Sequence, residues 1–181
     1  MTHPPFRVTV LADRWPAGGS TTERAVALLT ALEPSVRVTV AAREVAEAEA
    51  LRARDVEVVV CPTPPEGARW LAARAGHPNV LVIDGPAAAL AFLGSLDAHP
   101  GAALLYDLRG PATGDHLLDR RVEIQVAALA SVVLVPSPAF VPFVRELGRG
   151  GDAVVAEGDD RRALAQAFAL TGLAVPDAAL A

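Results

Sequence analysis

The residues with the most chemistry to offer stand directly after apolar runs. Gly18-Gly19-Ser20 follows Arg7-Val8-Thr9-Val10-Leu11-Ala12, Asp84 closes Asn79-Val80-Leu81-Val82-Ile83, and Asp107 and Arg109 follow Ala102-Ala103-Leu104-Leu105-Tyr106. Ser137 follows Val132-Val133-Leu134-Val135. A glycine pair lets backbone come close to a ligand, and the first amides of a following helix face that ligand with the positive end of the helix dipole. The chemistry this offers is anion binding. Gly18-Gly19 has no third spaced glycine, so it is not the dinucleotide fingerprint, and a plain tight connection accounts for it as well. Asp107 can orient a hydroxyl and Arg109 can clamp a phosphate, or the two can pair and hold their own loop.

Other side chains have plainer explanations beside the chemical one. Glu123 lies one turn from Asp119 and Arg120 and reads as a helix-surface charge before it reads as a ligand. Ser137 precedes Pro138, the arrangement of a helix N-cap. His116 is a proton-transfer candidate or a solvated loop residue. Trp15 can stack on a sugar face or plug the edge of the domain.

These residues need elements to hold them. Ser20-Thr21-Thr22-Glu23 has capping-box spacing, and Ala25, Leu28, Leu29 and Leu32 follow on one helical face. Val36 to Val40 predicts a second strand, Arg43 to Arg54 a helix, and Val56 to Val60 a third strand stopped by Pro62, Pro64 and Pro65. Helices are expected over Glu66 to Ala75, from Asp84-Gly85-Pro86 onward, over Asp115 to Ala130, after Ser137-Pro138, and from Asp160 to about Leu170. Ala153-Val154-Val155 completes about seven strands. Strands alternating with helices, and strands apolar almost throughout, predict an α/β fold with a doubly wound, mostly parallel Rossmann-like sheet in the order 3-2-1-4-5-6-7. The expected organisation is one domain over 1–171 and a loose tail over 172–181.

Composition removes several classes of function. The chain of 181 residues is 52% apolar with only 4% aromatic residues, and carries a net charge of −5. All 16 basic residues are Arg, and no basic cluster exceeds Arg120-Arg121 or Arg161-Arg162, a poor surface for nucleic acid. One cysteine, Cys61, excludes an internal disulfide, and four scattered His give no metal-ligand spacing. Met1-Thr2-His3-Pro4-Pro5 has no signal-peptide character, and the apolar run Val126 to Val135 is interrupted by Ser131 and too short to span a bilayer. The expected place is the cytoplasm, with peripheral membrane contact at most.

Taken as a series, these loops resemble the N-terminal domain of GT-B glycosyltransferases, in particular family-4 retaining enzymes acting on polysaccharide and glycolipid acceptors. The similar features are the strand, Gly18-Gly19 and helix; Tyr106-Asp107-Leu108-Arg109-Gly110; Glu123 ahead of Ala130-Ser131-Val132-Val133-Leu134-Val135-Pro136-Ser137; and Val154-Val155-Ala156-Glu157-Gly158-Asp159-Asp160. The resemblance implies an acceptor-binding domain, half of a hexosyl transfer enzyme whose donor is a nucleotide sugar and which uses no cofactor. It places Asp107, or Tyr106 depending on alignment, near the position where many relatives carry a catalytic-site His, and Asp107 is the catalytic candidate. Gly18, Gly19, Ser20, Asp84, Arg109, Ser137 and Glu123 fall at acceptor or donor contacts.

In that family the C-terminal domain holds the donor and carries a Glu pair. Glu49 and Glu57 share its spacing, but they fall across a helix end and a strand and read as solvated carboxylates. The donor half would thus lie outside this sequence, in a longer gene product of which this is a part or on a separate donor-domain protein, and this chain alone would be inactive. Implied partners are a sugar or glycolipid acceptor and that donor-domain protein, or a second copy. Alternatives are a non-catalytic scaffolding relative, for which an exposed apolar face around Leu164 and Phe168 would speak, and a small nucleotide-binding protein. The latter lacks a ribose-binding acid where Ala41-Ala42-Arg43 stand.

Overall fold

The structure is a computed structural model that describes residues 5–16, 20–74, 78–96, 101–108, 117–146, 152–155 and 161–180. Seven strands form one sheet: β1 (Phe6–Trp15), β2 (Val36–Val45), β3 (Glu57–Val60), β4 (Val80–Asp84), β5 (Ala103–Asp107), β6 (Val132–Val135) and β7 (Asp152–Val155). Every pairing is parallel and the order is 3-2-1-4-5-6-7, as the alternation of apolar strands and helices predicts. The helices are α1 (Thr21–Thr30), α2 (Ala48–Arg52), α3 (Pro64–Ala72), α4 (Gly85–Leu96), α5 (Leu117–Leu129), α6 (Val141–Glu146) and α7 (Arg161–Leu170).

Two cores follow from the strand alternation. On one face Val8, Val10, Ala12, Val38, Val40, Val82 and Leu105 pack against Ala25, Leu29, Leu164 and Phe168 of α1 and α7. On the other, Leu11, Ile83, Tyr106 and Val133 pack against Leu71, Phe92, Val122, Val126 and Val144 of α3 to α6. The sheet is thus covered on both faces, which is what makes a parallel sheet stable.

Several boundaries differ from expectation for physical reasons. β1 and β2 run on to Trp15 and Val45, because Arg14 pairs with Glu44 and Trp15 with Val45 in register, and ladder pairing outweighs the weak strand propensity of Ala-Ala-Arg-Glu. The helix expected from Arg43 shrinks accordingly to α2. The prolines that stop β3 open α3, where the Glu66 carboxylate accepts the Thr63 N–H at 3.1 Å and proline suits the first turn.

Ser137 is extended and makes no side-chain cap, and a single 3-10 turn over Pro138–Phe140 precedes α6. The apolar stripe of α7 faces inward, with Leu164 and Phe168 buried, so it offers no exposed contact face. The segment after α7 carries Leu173 into the core, with Val175, Ala179 and Leu180 packed beside it.

Gly67 on α3 has no room for a side chain, since a Cβ there would lie 2.7 Å from Cε1 of the buried Phe92 ring. Gly67→Ala should destabilise the protein by about 1–3 kcal/mol through this overpacking, which would lower the thermal midpoint by several degrees. An unchanged midpoint in a thermal melt would show that α3 and α4 do not meet this closely.

Candidate functional site

In a doubly wound sheet the two directions of winding part beside the first strand, and a crevice opens there at the carboxyl ends of the strands. Here β1 separates β2 from β4. β1 pairs with β4 only from Val8 to Leu11, while β1 and β2 continue together to Trp15 and Val45 as a two-stranded ribbon. That ribbon extends past the β1–β4 pairing at the switch point. On its α3 side Arg43 grips Asp13, with Nε 2.9 Å from Oδ1 and Nη2 donating to Oδ2 at 3.3 Å. Arg14 reaches Glu44 at 3.3 Å nearer solvent. Trp15 is buried in the core on the α1 side and plugs the edge rather than presenting a stacking face.

The start of α1 follows β1 at the same end of the sheet. Ser20 is its N-cap, and its Oγ accepts the Glu23 N–H at 3.1 Å, as the capping-box spacing predicts. Two residues on, Thr22 is fully buried, and its hydroxyl lies 3.0 Å from Asp84 Oδ1 and 3.0 Å from Asp107 Oδ2. Asp84 and Asp107 end neighbouring strands in direct register, on the sheet face that α1 covers. The Thr22 hydroxyl thus stands between two buried carboxyl groups and hydrogen-bonds with both. The arrangement ties the first turn of α1 to β4 and β5.

The positions proposed from sequence divide accordingly. Asp84 and Asp107 come together, but at 6% and 2% exposure they support the helix start instead of lining the open crevice. Ser20 stands half-buried at the crevice and Ser137 half-buried at the end of β6. Glu123 is 1% exposed on α5, not the surface charge its helical neighbours suggest. Gly18, Gly19, Arg109, His116 and Glu157 lie outside the described residues.

Its fold is shared with part of a sugar-nucleotide-bound protein. Anabaena Alr3699/HepE, solved in complex with UDP and glucose, superposes with a TM-score of 0.63 at 16% identity, over 84% of this chain and 44% of HepE. The HepE complex with UDP-glucose gives 0.62 at 17% identity, over 83% and 43%. The chain therefore spans less than half the length of HepE. The PfkB protein from Polaromonas matches at 0.55 and 16% identity, over 98% of this chain and 92% of that one. At such identities the likeness is one of fold. No protein-family model and no curated protein matches the sequence.

Sequence reasoning missed Thr22, because a threonine inside a helix carries no signal of its own. The signal was available at a distance: acids ending two adjacent inner strands need a donor above them. Arg24 was missed as well. Its Nη2 donates to Thr21 Oγ1 at 3.1 Å, and its buried Nε makes no hydrogen bond among the described residues, so a guanidinium edge adjoins the helix start.

Burial pushes the Cys61 thiol up, Glu66 adds to this, and Arg74 offsets it only in part, which disfavours the thiolate. Among the described residues no three His, Cys, Asp or Glu side chains converge as a metal site requires, and no helix is long and apolar enough to cross a membrane.

The Thr22 bridge predicts a specific ranking. Thr22→Val keeps the shape and removes the hydroxyl, and should cost about 1–3 kcal/mol, since the acceptors are buried. Thr22→Ser should recover most of that. Urea unfolding midpoints measure the series, and a valine variant as stable as wild type would show that the hydroxyl bridge contributes nothing.

Proposed function

We propose that this chain is the acceptor-side domain of a GT-B-type hexosyltransferase, one half of a cleft whose nucleotide-sugar donor is held by a second domain. The observation that carries the reading is the change of winding direction between β1 and β4, with the start of α1 tied to the ends of β4 and β5 by Thr22, Asp84 and Asp107. The likeness in fold to HepE, solved with UDP, glucose and UDP-glucose, supports a sugar-nucleotide context. So does the ordered resemblance of the loops to family-4 enzymes.

In this reading the N-terminal end of α1 and the Arg24 edge face the charged or polar end of the substrate pair. Ser20 and Ser137 offer hydroxyls to the acceptor from the two sides of the crevice. Asp107 is a positioning residue here: its carboxylate holds Thr22 and through it the helix start. The developing positive charge at the sugar carbon is then balanced by donor phosphates held from the second domain. A transferase must close its cleft against water, so this half is expected to bind without turnover. A cytoplasmic setting, with acceptors presented at most at a membrane surface, belongs to the same proposal.

The burial of Asp107 favours one second reading, a scaffolding relative that kept the domain without the chemistry. An array of saccharides and glycolipids probed with the labelled chain separates the two. The acceptor reading expects binding to a subset of saccharides, weakened several-fold by Ser20→Ala combined with Ser137→Ala, with UDP alone bound no tighter than about millimolar. Failure to bind any saccharide favours the scaffold, and micromolar UDP binding without saccharide binding would make this a nucleotide-binding protein.

A further inference from the structure

At the opposite end of the sheet lies a second concavity that the crevice chemistry does not use. It is a half-open cavity of about 400 Å³ beneath the C-terminal end of α3, at the amino ends of β1 and β2. Further along this face the central strands present Leu11, Leu81, Ile83 and Tyr106 to the helices. Here Arg7 and Thr9 of β1 stand in register with Arg37 and Thr39 of β2, and Thr39 in turn with Glu57 of β3. Thr9, Thr39 and Glu57 therefore form one row across three strands, about 4.8 Å apart from strand to strand.

The ionised groups around this row are engaged by the protein itself. Glu57 accepts from Arg74 Nη2 at 2.6 Å and from Thr39 Oγ1 at 2.9 Å, and Arg74 lies 4.6 Å from the centre of the Trp70 ring. Arg37 gives Nη1 to Glu33 at 2.8 Å, and Arg7 is likewise not without a partner. No group of this lining calls for an anion. Thr9 differs from its neighbours: it is only 6% exposed, it lines the cavity, and its hydroxyl makes no hydrogen bond among the described residues. A hydroxyl held away from bulk solvent with no protein partner is a cost that valine at the same strand position would avoid. Beside it the Thr39 oxygen, whose proton goes to Glu57, keeps lone pairs to accept with. The two threonines thus present a donor and acceptors side by side on the floor of the cavity.

We infer that this cavity binds a small neutral polyol, a free cyclitol or alditol, whose hydroxyls hydrogen-bond to Thr9 and Thr39. A neutral ligand matches a lining whose ionised groups already have partners, and hydroxyls, donor and acceptor at once, match a row that offers both. The volume suits one small molecule and not a saccharide chain. The site is independent of the crevice, so its fate does not depend on the transferase reading.

Amide chemical-shift mapping of the full isotope-labelled chain, titrated with myo-inositol and separately with mannitol, tests the assignment. Saturable perturbation centred on Thr9, Thr39 and Glu57 by at least one of them, with a dissociation constant in about the millimolar range, is the expected result. Thr9→Val should weaken that binding by about three- to tenfold, and Thr9→Ser should restore it. Because the Thr9 hydroxyl has no protein partner among the described residues, the valine variant should melt no lower than wild type, which separates lost binding from lost folding. Absence of saturable shifts there with both polyols would leave the cavity to water and overturn the assignment. Equal affinity in Thr9→Val would overturn it too, as would tighter binding of inorganic phosphate at the same residues, the mark of an anion site.

Discussion

One hydroxyl ties the first turn of α1 to the carboxyl end of the sheet. Thr22 reaches from the first turn of α1 to the carboxylates that end β4 and β5, at 3.0 Å to each. Buried carboxylates in register on adjacent strands would be costly without a donor, and a helix start above a sheet would be free to shift without an anchor. Each solves the other's problem. The first turn of α1, the Ser20 cap and the Arg24 edge are consequently placed at the point where the sheet changes its winding direction.

The two ends of the sheet are built on different terms. At the carboxyl end β1 and β2 outrun β4 as a ribbon, tied by Asp13 and Arg43. At the amino end the same strands turn polar on the α3 face and collect arginines in place of aliphatic residues. β1 connects the two, with Arg7 at one extreme and Trp15 at the other. Between them the strand is a central rod of Val8, Val10, Leu11 and Ala12, all almost fully buried.

The architecture was legible because it depends on periodicity, which a sequence displays directly: apolar strands, intervening helices and turn residues specify the sheet order through the handedness of the crossovers. What was not legible depends on partners distant in sequence. Val36–Val45 is long because it lies against β1, not because Ala-Ala-Arg-Glu favours a strand. Asp84 and Asp107 were correctly placed at the carboxyl ends, yet whether such acids face a ligand or a helix is decided by strand parity and by what covers that face. Leu105 and Asp107 share a face, and α1 covers it. Glu123 looked solvated from its helical neighbours, while tertiary packing buries it. The inward turn of Leu164 and Phe168 follows the same rule, since a stripe on the last helix of a doubly wound sheet has a strand face to meet.

The central claim is that ligands enter at the β1–β4 crevice beneath the start of α1. Amide chemical-shift mapping of the isotope-labelled chain, titrated with a glucose-containing oligosaccharide and with UDP-glucose, tests it most directly. The account predicts perturbations concentrated at Ser20 to Glu23, Asp84-Gly85 and Ser137, with the amino ends of β1 and β2 unmoved. Perturbations confined to other surfaces, or none with either compound, would contradict it.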